Sequence, residues 1–185
     1  MRTKNSIKNL IFALFGQAFG LIISFLGRIV FVKILTDEYL GLNSLFTNIL
    51  TMLSLVELGV GSAIVYSLYK PLAVNDKEKI KSLMLLYKKA YTLIGIIIML
   101  LGIISLPFYR YLINEVPNIK NLDLIYFLFV LNTSVSYFYS YKRSLIISDQ
   151  KRYIATIYRY GFYFILNVVQ IIALLITKNY LLFLI

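Results

Sequence analysis

Three observations predict an all-α fold, a polytopic bundle of membrane helices. Five apolar stretches are near or above the roughly 20 residues needed to cross hydrocarbon. Positive charge gathers on alternate connections, and the composition is more apolar than that of ordinary soluble domains: 60% of the 185 residues are hydrophobic and mean hydropathy is +0.81. The stretches cover 10–35, 40–66, 83–109, 122–141 and 158–177, and the start of a sixth opens at Tyr180.

The first stretch follows Arg2, Lys4 and Lys8. MRTKNSIKN has the charge of a signal-peptide head, but the apolar run behind it is too long for one and no small-residue cleavage site follows, so it reads as a retained helix. A tight turn around 33–39 leads to the second stretch. The run PLAVND at 71–76 predicts a break at its far end, after which Asp76 can cap an amphipathic helix over 77–89 that leads into the third stretch. Residues 92–104 of the third are apolar all round, the pattern of a helix facing lipid. Pro107 and Pro117 punctuate the way to the fourth stretch, and SDQKRY at 148–153 punctuates the way to the fifth. No soluble domain, linker or low-complexity tract interrupts the series.

Beyond the amino-terminal cluster, basic residues gather at Lys70, Lys77, Lys79, Lys81, Lys88 and Lys89, and again at Lys142, Arg143, Lys151, Arg152 and Arg159. Only Arg28, Lys33, Arg110, Lys120 and Lys178 lie elsewhere. Because basic loops stay inside, the sequence predicts a multi-pass protein of the cell (cytoplasmic) membrane with its amino terminus in the cytoplasm. The net charge of +11 resembles that of a nucleic-acid binder. Divided among juxtamembrane positions it contacts headgroups instead, so the expected partner is the lipid bilayer and not nucleic acid. With no cysteine and no histidine, thiolate and imidazole chemistry is absent, and neither a metal, a cofactor nor an enzymatic activity is expected.

Two stretches carry polar stripes. In the first, Gln17, Gly20, Ser24, Gly27 and Arg28 lie within about 100° of one another on a helix, and in the second Asn43, Thr47, Thr51, Ser54, Glu57 and Gly61 do likewise. Such stripes face protein or water, and Gly20, Ser24, Thr51 and Ser54 read as close-packing residues. Arg28 and Glu57 cost several kcal/mol at hydrocarbon depth and are functional candidates. They do not read as an ion pair: Arg28 lies about 10 Å from the outer end of its helix and Glu57 about 25 Å from the outer end of its own. By depth Arg28 is level with Thr47 and Asn48, and Glu57 with Gln17. A guanidinium stays charged and donates in a fork, which suits phosphate; snorkelling to outer headgroups is the alternative for Arg28, and interfacial exposure the alternative for Glu57. Asn132, Thr133, Ser134 and Ser136 make the middle of the fourth stretch polar, and Asn167 and Gln170 mark the fifth; these bind sugar hydroxyls or one another. Tyrosine, 16 in all, reads mostly as an interfacial belt.

The run RIVFVKIL at 28–35, EYLGLNSLF at 38–46 and ELGVGSAIVYSLYKPLA at 57–73, with SYFYSYK at 136–142 and DQK at 149–151, resembles the amino-terminal half of polysaccharide-type lipid-linked oligosaccharide flippases. These belong to the multidrug/oligosaccharidyl-lipid/polysaccharide exporter superfamily. The likeness extends over nearly the whole chain, through motifs that are diffuse but ordered. It implies one of two lobes around a central cavity, and alternating access that moves a polyprenyl-diphosphate-linked glycan from the inner to the outer leaflet. Residues 1–185 would then be an incomplete amino-terminal lobe, expected to work with a missing carboxy-terminal lobe. On that reading Arg28 contacts the diphosphate with Thr47 and Asn48 at its level, Glu57 and Gln17 line an inner cavity or hold a coupling ion, and Asn132 contacts sugar. An ion-coupled multidrug exporter of the same superfamily and a small membrane scaffold protein are the alternatives.

Overall fold

The computed structural model describes residues 2–57, 59–109, 119 and 121–184, with side chains from residue 5 onward; Arg110, Pro117 and Lys120 lie outside the described residues. The elements are α1 (Arg2–Ile34), α2 (Asp37–Leu53), a 3-10 turn (Ser54–Glu57), α3 (Val60–Ala73), α4 (Lys77–Ser105), α5 (Leu122–Ser148), α6 (Arg152–Thr177) and α7 (Tyr180–Leu184). Five segments are long and apolar enough to cross a membrane: Asn5–Ile34, Asp37–Glu57, Lys77–Ser105, Leu122–Ser148 and Arg152–Thr177. The all-α class predicted from the sequence is the observed one, with the five helices of a multi-pass membrane protein. Their outer surfaces are apolar: Phe15, Phe162 and Ile176 are 72%, 68% and 77% exposed.

The chain forms two compact units, Met1–Leu40 with Ile146–Ile185, and Gly41–Leu145. In the first, α1 and α6 run parallel. The Asn9 carboxamide donates to the Gln150 carbonyl (3.1 Å) and accepts from the Tyr153 backbone N–H (2.7 Å). Lys151, the residue preceding α6, offers no side-chain cap, so Asn9 supplies one from the neighbouring helix. Further along, Phe19 rests on Phe164 with ring centroids 5.8 Å apart. The short α7 folds back through a bond from the Gln170 amide to the Phe183 carbonyl (2.9 Å), and Tyr180 and Phe183 both pack on Phe31.

In the second unit α4 and α5 pack antiparallel at close range. Gly102 admits the Val130 side chain, and a Cβ at Gly95 would stand 3.0 Å from the Ser134 carbonyl and 2.6 Å from the Phe138 ring. Phe46 of α2 sits in an aromatic cage of Tyr109, Tyr126 and Phe129, at 5.4, 5.0 and 5.7 Å. Tyrosine hydroxyls tie the helices where apolar packing alone would leave them free to slide: Tyr87 with Ser67, Tyr126 with Ser105, and Tyr109 donating to Asp123.

The helix ends within the expected break at 71–76: Pro71 occupies the last turn of α3, where its missing N–H forfeits a single bond, and the helix stops at Ala73. The stop is a Schellman closure: Asn75 turns left-handed (φ 56°) and the Asp76 N–H bonds the Pro71 carbonyl at 2.9 Å. The same closure ends α5, with Gln150 at φ 58° and the Lys151 N–H on the Ile146 carbonyl at 3.1 Å. Asp76 caps α4 as expected, accepting from the Lys79 N–H at 2.9 Å, but the basic 77–89 segment and the span behind it are one continuous helix. That span is not lipid-facing all round: Ile94, Gly95, Ile98 and Gly102 are buried while Leu93, Ile96, Leu100 and Ile104 are exposed. Six of the 16 tyrosines serve the interior instead of a belt: Tyr87, Tyr91, Tyr109, Tyr126, Tyr137 and Tyr180 are buried. The fourth and fifth helices extend through most of the predicted connection, leaving a short turn in which Asp149 holds Lys151 at 2.6 Å; that hydrogen bond and charge raise the lysine above its ordinary pKa.

Filling the α4–α5 contact should loosen the second unit. Gly102→Leu is expected to cost the about 1–3 kcal/mol of stability typical of overpacking, and so to lower the thermal midpoint of the protein in detergent. A midpoint equal to wild type would contradict the contact.

Candidate functional site

The second apolar stretch is not the single helix its hydropathy predicts. Along α2 the hydroxyls of Thr47, Thr51 and Ser54 each donate to the carbonyl four residues back, on Asn43, Thr47 and Leu50, at 2.7 Å. Such back-bonding competes with the helix ladder and bends it. After Leu53 the chain tightens into the 3-10 turn, and Gly59 takes φ 82°, a left-handed geometry that a side chain would strain. A new helix, α3, starts at Val60. The break therefore places Glu57 at a joint between two helices instead of on a continuous helix face.

Three helices converge on that carboxylate. The Tyr91 hydroxyl of α4 donates to Glu57 Oε1 at 2.9 Å. Tyr137 of α5 stacks beside Tyr91, ring centroids 6.4 Å apart, with its hydroxyl in reach of Glu57 and Ser54. Gly61, in the first turn of α3, leaves room for both partners: a Cβ there would come within 3.1 Å of the Tyr91 hydroxyl and 3.3 Å of Glu57 Oε1. The carboxylate thus lies beside the first turn of α3, where unpaired N–H groups and the helix dipole favour negative charge. Half-buried at a break in a span, Glu57 has the setting in which discontinuous membrane helices hold a proton or a small cation.

A second polar place lies within the first unit. Gln17 lines a groove of about 490 Å³ with Gly20, Leu21, Arg159, Tyr160 and Tyr163. The groove exists because the Tyr160 ring lies directly on α1 at Gly16 and Gly20, where a Cβ would meet it. The Arg159 guanidinium stands 5.5 Å over the same ring. Sequence reasoning assigned Arg159 to a connection, because hydropathy rises only at about residue 158. The helix starts six residues earlier, at Arg152, and the signal for that start is Asn9, a cap 143 positions away in the sequence.

The remaining candidates stand apart. Arg28 is exposed on α1 with no ion-pair or hydrogen-bond partner among the described residues. Thr47 is exposed and spends its hydroxyl on its own helix, Asn48 is exposed beside it, and Asn132 is exposed on α5. The structure therefore gathers Glu57 with tyrosines and Gln17 with Arg159, and leaves Arg28, Asn48 and Asn132 facing outward from their helices.

No protein-family model, curated protein or solved structure matches the chain.

The Tyr91–Glu57 bond should be measurable as a coupling. In a double-mutant cycle of Tyr91→Phe and Glu57→Gln, each change is expected to lower unfolding stability in detergent, with an interaction energy of about 1 kcal/mol or more, as for hydrogen bonds to charged groups. Strict additivity would show that the hydroxyl does not serve the carboxylate.

Proposed function

We propose that this protein is a non-enzymatic membrane exporter lobe that flips a polyprenyl-diphosphate-linked oligosaccharide from the inner to the outer leaflet for cell-surface polysaccharide synthesis. The observation that carries the reading is Arg28, an exposed guanidinium on a membrane-spanning helix with no anionic partner among the described residues. A permanent cation in that setting calls for an anion that also resides in the membrane, and a lipid diphosphate meets its fork with paired oxygens. The ordered resemblance of 28–73 to lipid-linked oligosaccharide flippases supports the same substrate. Thr47, Asn48 and Asn132 would contact the glycan, and Gln17 would line the polar path. Glu57, with Tyr91 and Tyr137, would hold the coupling ion at the broken helix. Alternating access requires two lobes rocking against each other, so a second lobe is part of the proposal.

The Glu57 arrangement also favours a second reading, an ion-coupled multidrug exporter. A cationic cargo would be repelled by Arg28, which is why the anionic lipid is preferred.

In cells making the protein at matched level, Arg28→Ala should abolish surface glycan without reducing membrane insertion, and Arg28→Lys, which keeps charge but loses the fork, should restore only part of it. Simple snorkelling predicts full activity for Arg28→Lys and near-normal activity for Arg28→Ala. Orientation is tested separately in this cysteine-free chain. An impermeant thiol reagent added to intact cells should label Thr36→Cys, in the turn between α1 and α2, and spare Asn75→Cys. The reverse pattern would invert the proposed topology.

A further inference from the structure

We propose that the groove between α1 and α6 is a phosphate-binding site for an anionic lipid headgroup, with Arg159 as its cation and Gln17 as its second donor. The charge on Arg159 is uncompensated: it has no ion-pair or hydrogen-bond partner among the described residues. The acidic residues of its unit are engaged or remote. Asp149 is held by Lys151 at 2.6 Å, and Asp37 and Glu38 open α2, beyond the far end of α1.

The exposed guanidinium stands 5.5 Å from the centre of an ordered ring. Its ring partner, Tyr160, is fixed because Gly16 and Gly20 let it lie against the α1 backbone, a Cβ at Gly20 coming within 2.6 Å of the ring. An arginine beside a groove can offer its N–H fork to two phosphate oxygens at once. The Gln17 carboxamide and the Tyr163 hydroxyl line the same groove and can each donate to a further oxygen.

Depth selects the ligand. Asn9 bonds the Tyr153 N–H, and Lys8 stands 5.4 Å from the Tyr153 ring, so Lys8, Lys151 and Arg152 mark the basic, headgroup end of the helix pair. Arg159 is six residues further along α6, about 9 Å toward the hydrocarbon. A phosphate there lies at the base of the headgroup layer, and the chain attached to it meets Leu21 in the groove and the exposed Phe162, Ile165 and Leu166 of α6. A soluble anion would gain the polar contacts and none of the apolar ones. The site does not depend on the export reading, and its test uses a lipid that carries no glycan.

The test is native mass spectrometry of the protein in neutral detergent, titrated with dioleoylphosphatidic acid, with dioleoylphosphatidylcholine and with inorganic pyrophosphate. One phosphatidic acid should bind at least about tenfold more tightly than phosphatidylcholine, and Arg159→Gln should remove about tenfold or more of that affinity, the scale of a charge-assisted contact. Gly20→Leu, which displaces the Tyr160 ring and keeps the arginine, should weaken binding comparably. Arg152→Gln, an equal loss of charge outside the groove, should leave it unchanged. Competition by pyrophosphate would extend the site to free phosphates, and its absence would restrict it to lipid. Equal loss in Arg152→Gln and Arg159→Gln, or wild-type binding by Arg159→Gln, would reduce the effect to diffuse charge and overturn the proposal.

Discussion

The structure depends on one constraint: inside hydrocarbon every backbone N–H and C=O must find its partner within the protein. Four of the five segments meet it as continuous α-helices, and helix ends are closed from within. Asn75 and Gln150 turn left-handed so that the last carbonyls of α3 and α5 are bonded, and Asn9 reaches across from α1 to cap α6. Against that background the interruption at Ser54–Gly59 stands out. It exposes the first N–H groups of α3 inside an apolar stretch, and a carboxylate with two tyrosines lies beside them.

How much was legible in the sequence follows from the range of each signal. Span number, the turn after α1, the Asp76 cap and the SDQK turn are local patterns of hydropathy and punctuation, and all are present. The break within the second stretch was missed because apolarity continues through it. Its signals were local but subtle: hydroxyl residues at Thr47, Thr51 and Ser54 spaced by three and four, then Gly59 and Gly61 flanking Val60. The tyrosine cores were illegible, since a buried Tyr91 bonded to Glu57 and an interfacial tyrosine have the same sequence pattern. The Arg159 groove was hidden for another reason. It requires knowing that α6 lies against α1 with Tyr160 on Gly16 and Gly20, a contact between positions about 140 apart.

The polar groups divide by chemistry. Glu57 is a carboxyl group that accepts from a tyrosine hydroxyl, and so is suited to exchanging protons or small cations. Arg28 and Arg159 are cations with no acidic partner among the described residues, and so are suited to phosphates. A direct Arg–Glu pair would satisfy both charges and leave neither free for a ligand. In the described residues Glu57 accepts instead from the neutral Tyr91 hydroxyl, which supplies no competing cation.

The central claim is that the protein moves a lipid-linked glycan across the membrane, and the most direct measurement follows the lipid itself. Cells depleted of the protein can be fractionated and the polyprenyl-diphosphate-linked oligosaccharide assayed for access from each side of the membrane. Export predicts that the completed lipid-linked glycan accumulates, reachable only from the cytoplasmic face, while surface polymer disappears. Unchanged surface polymer with no accumulation of the lipid would contradict the account.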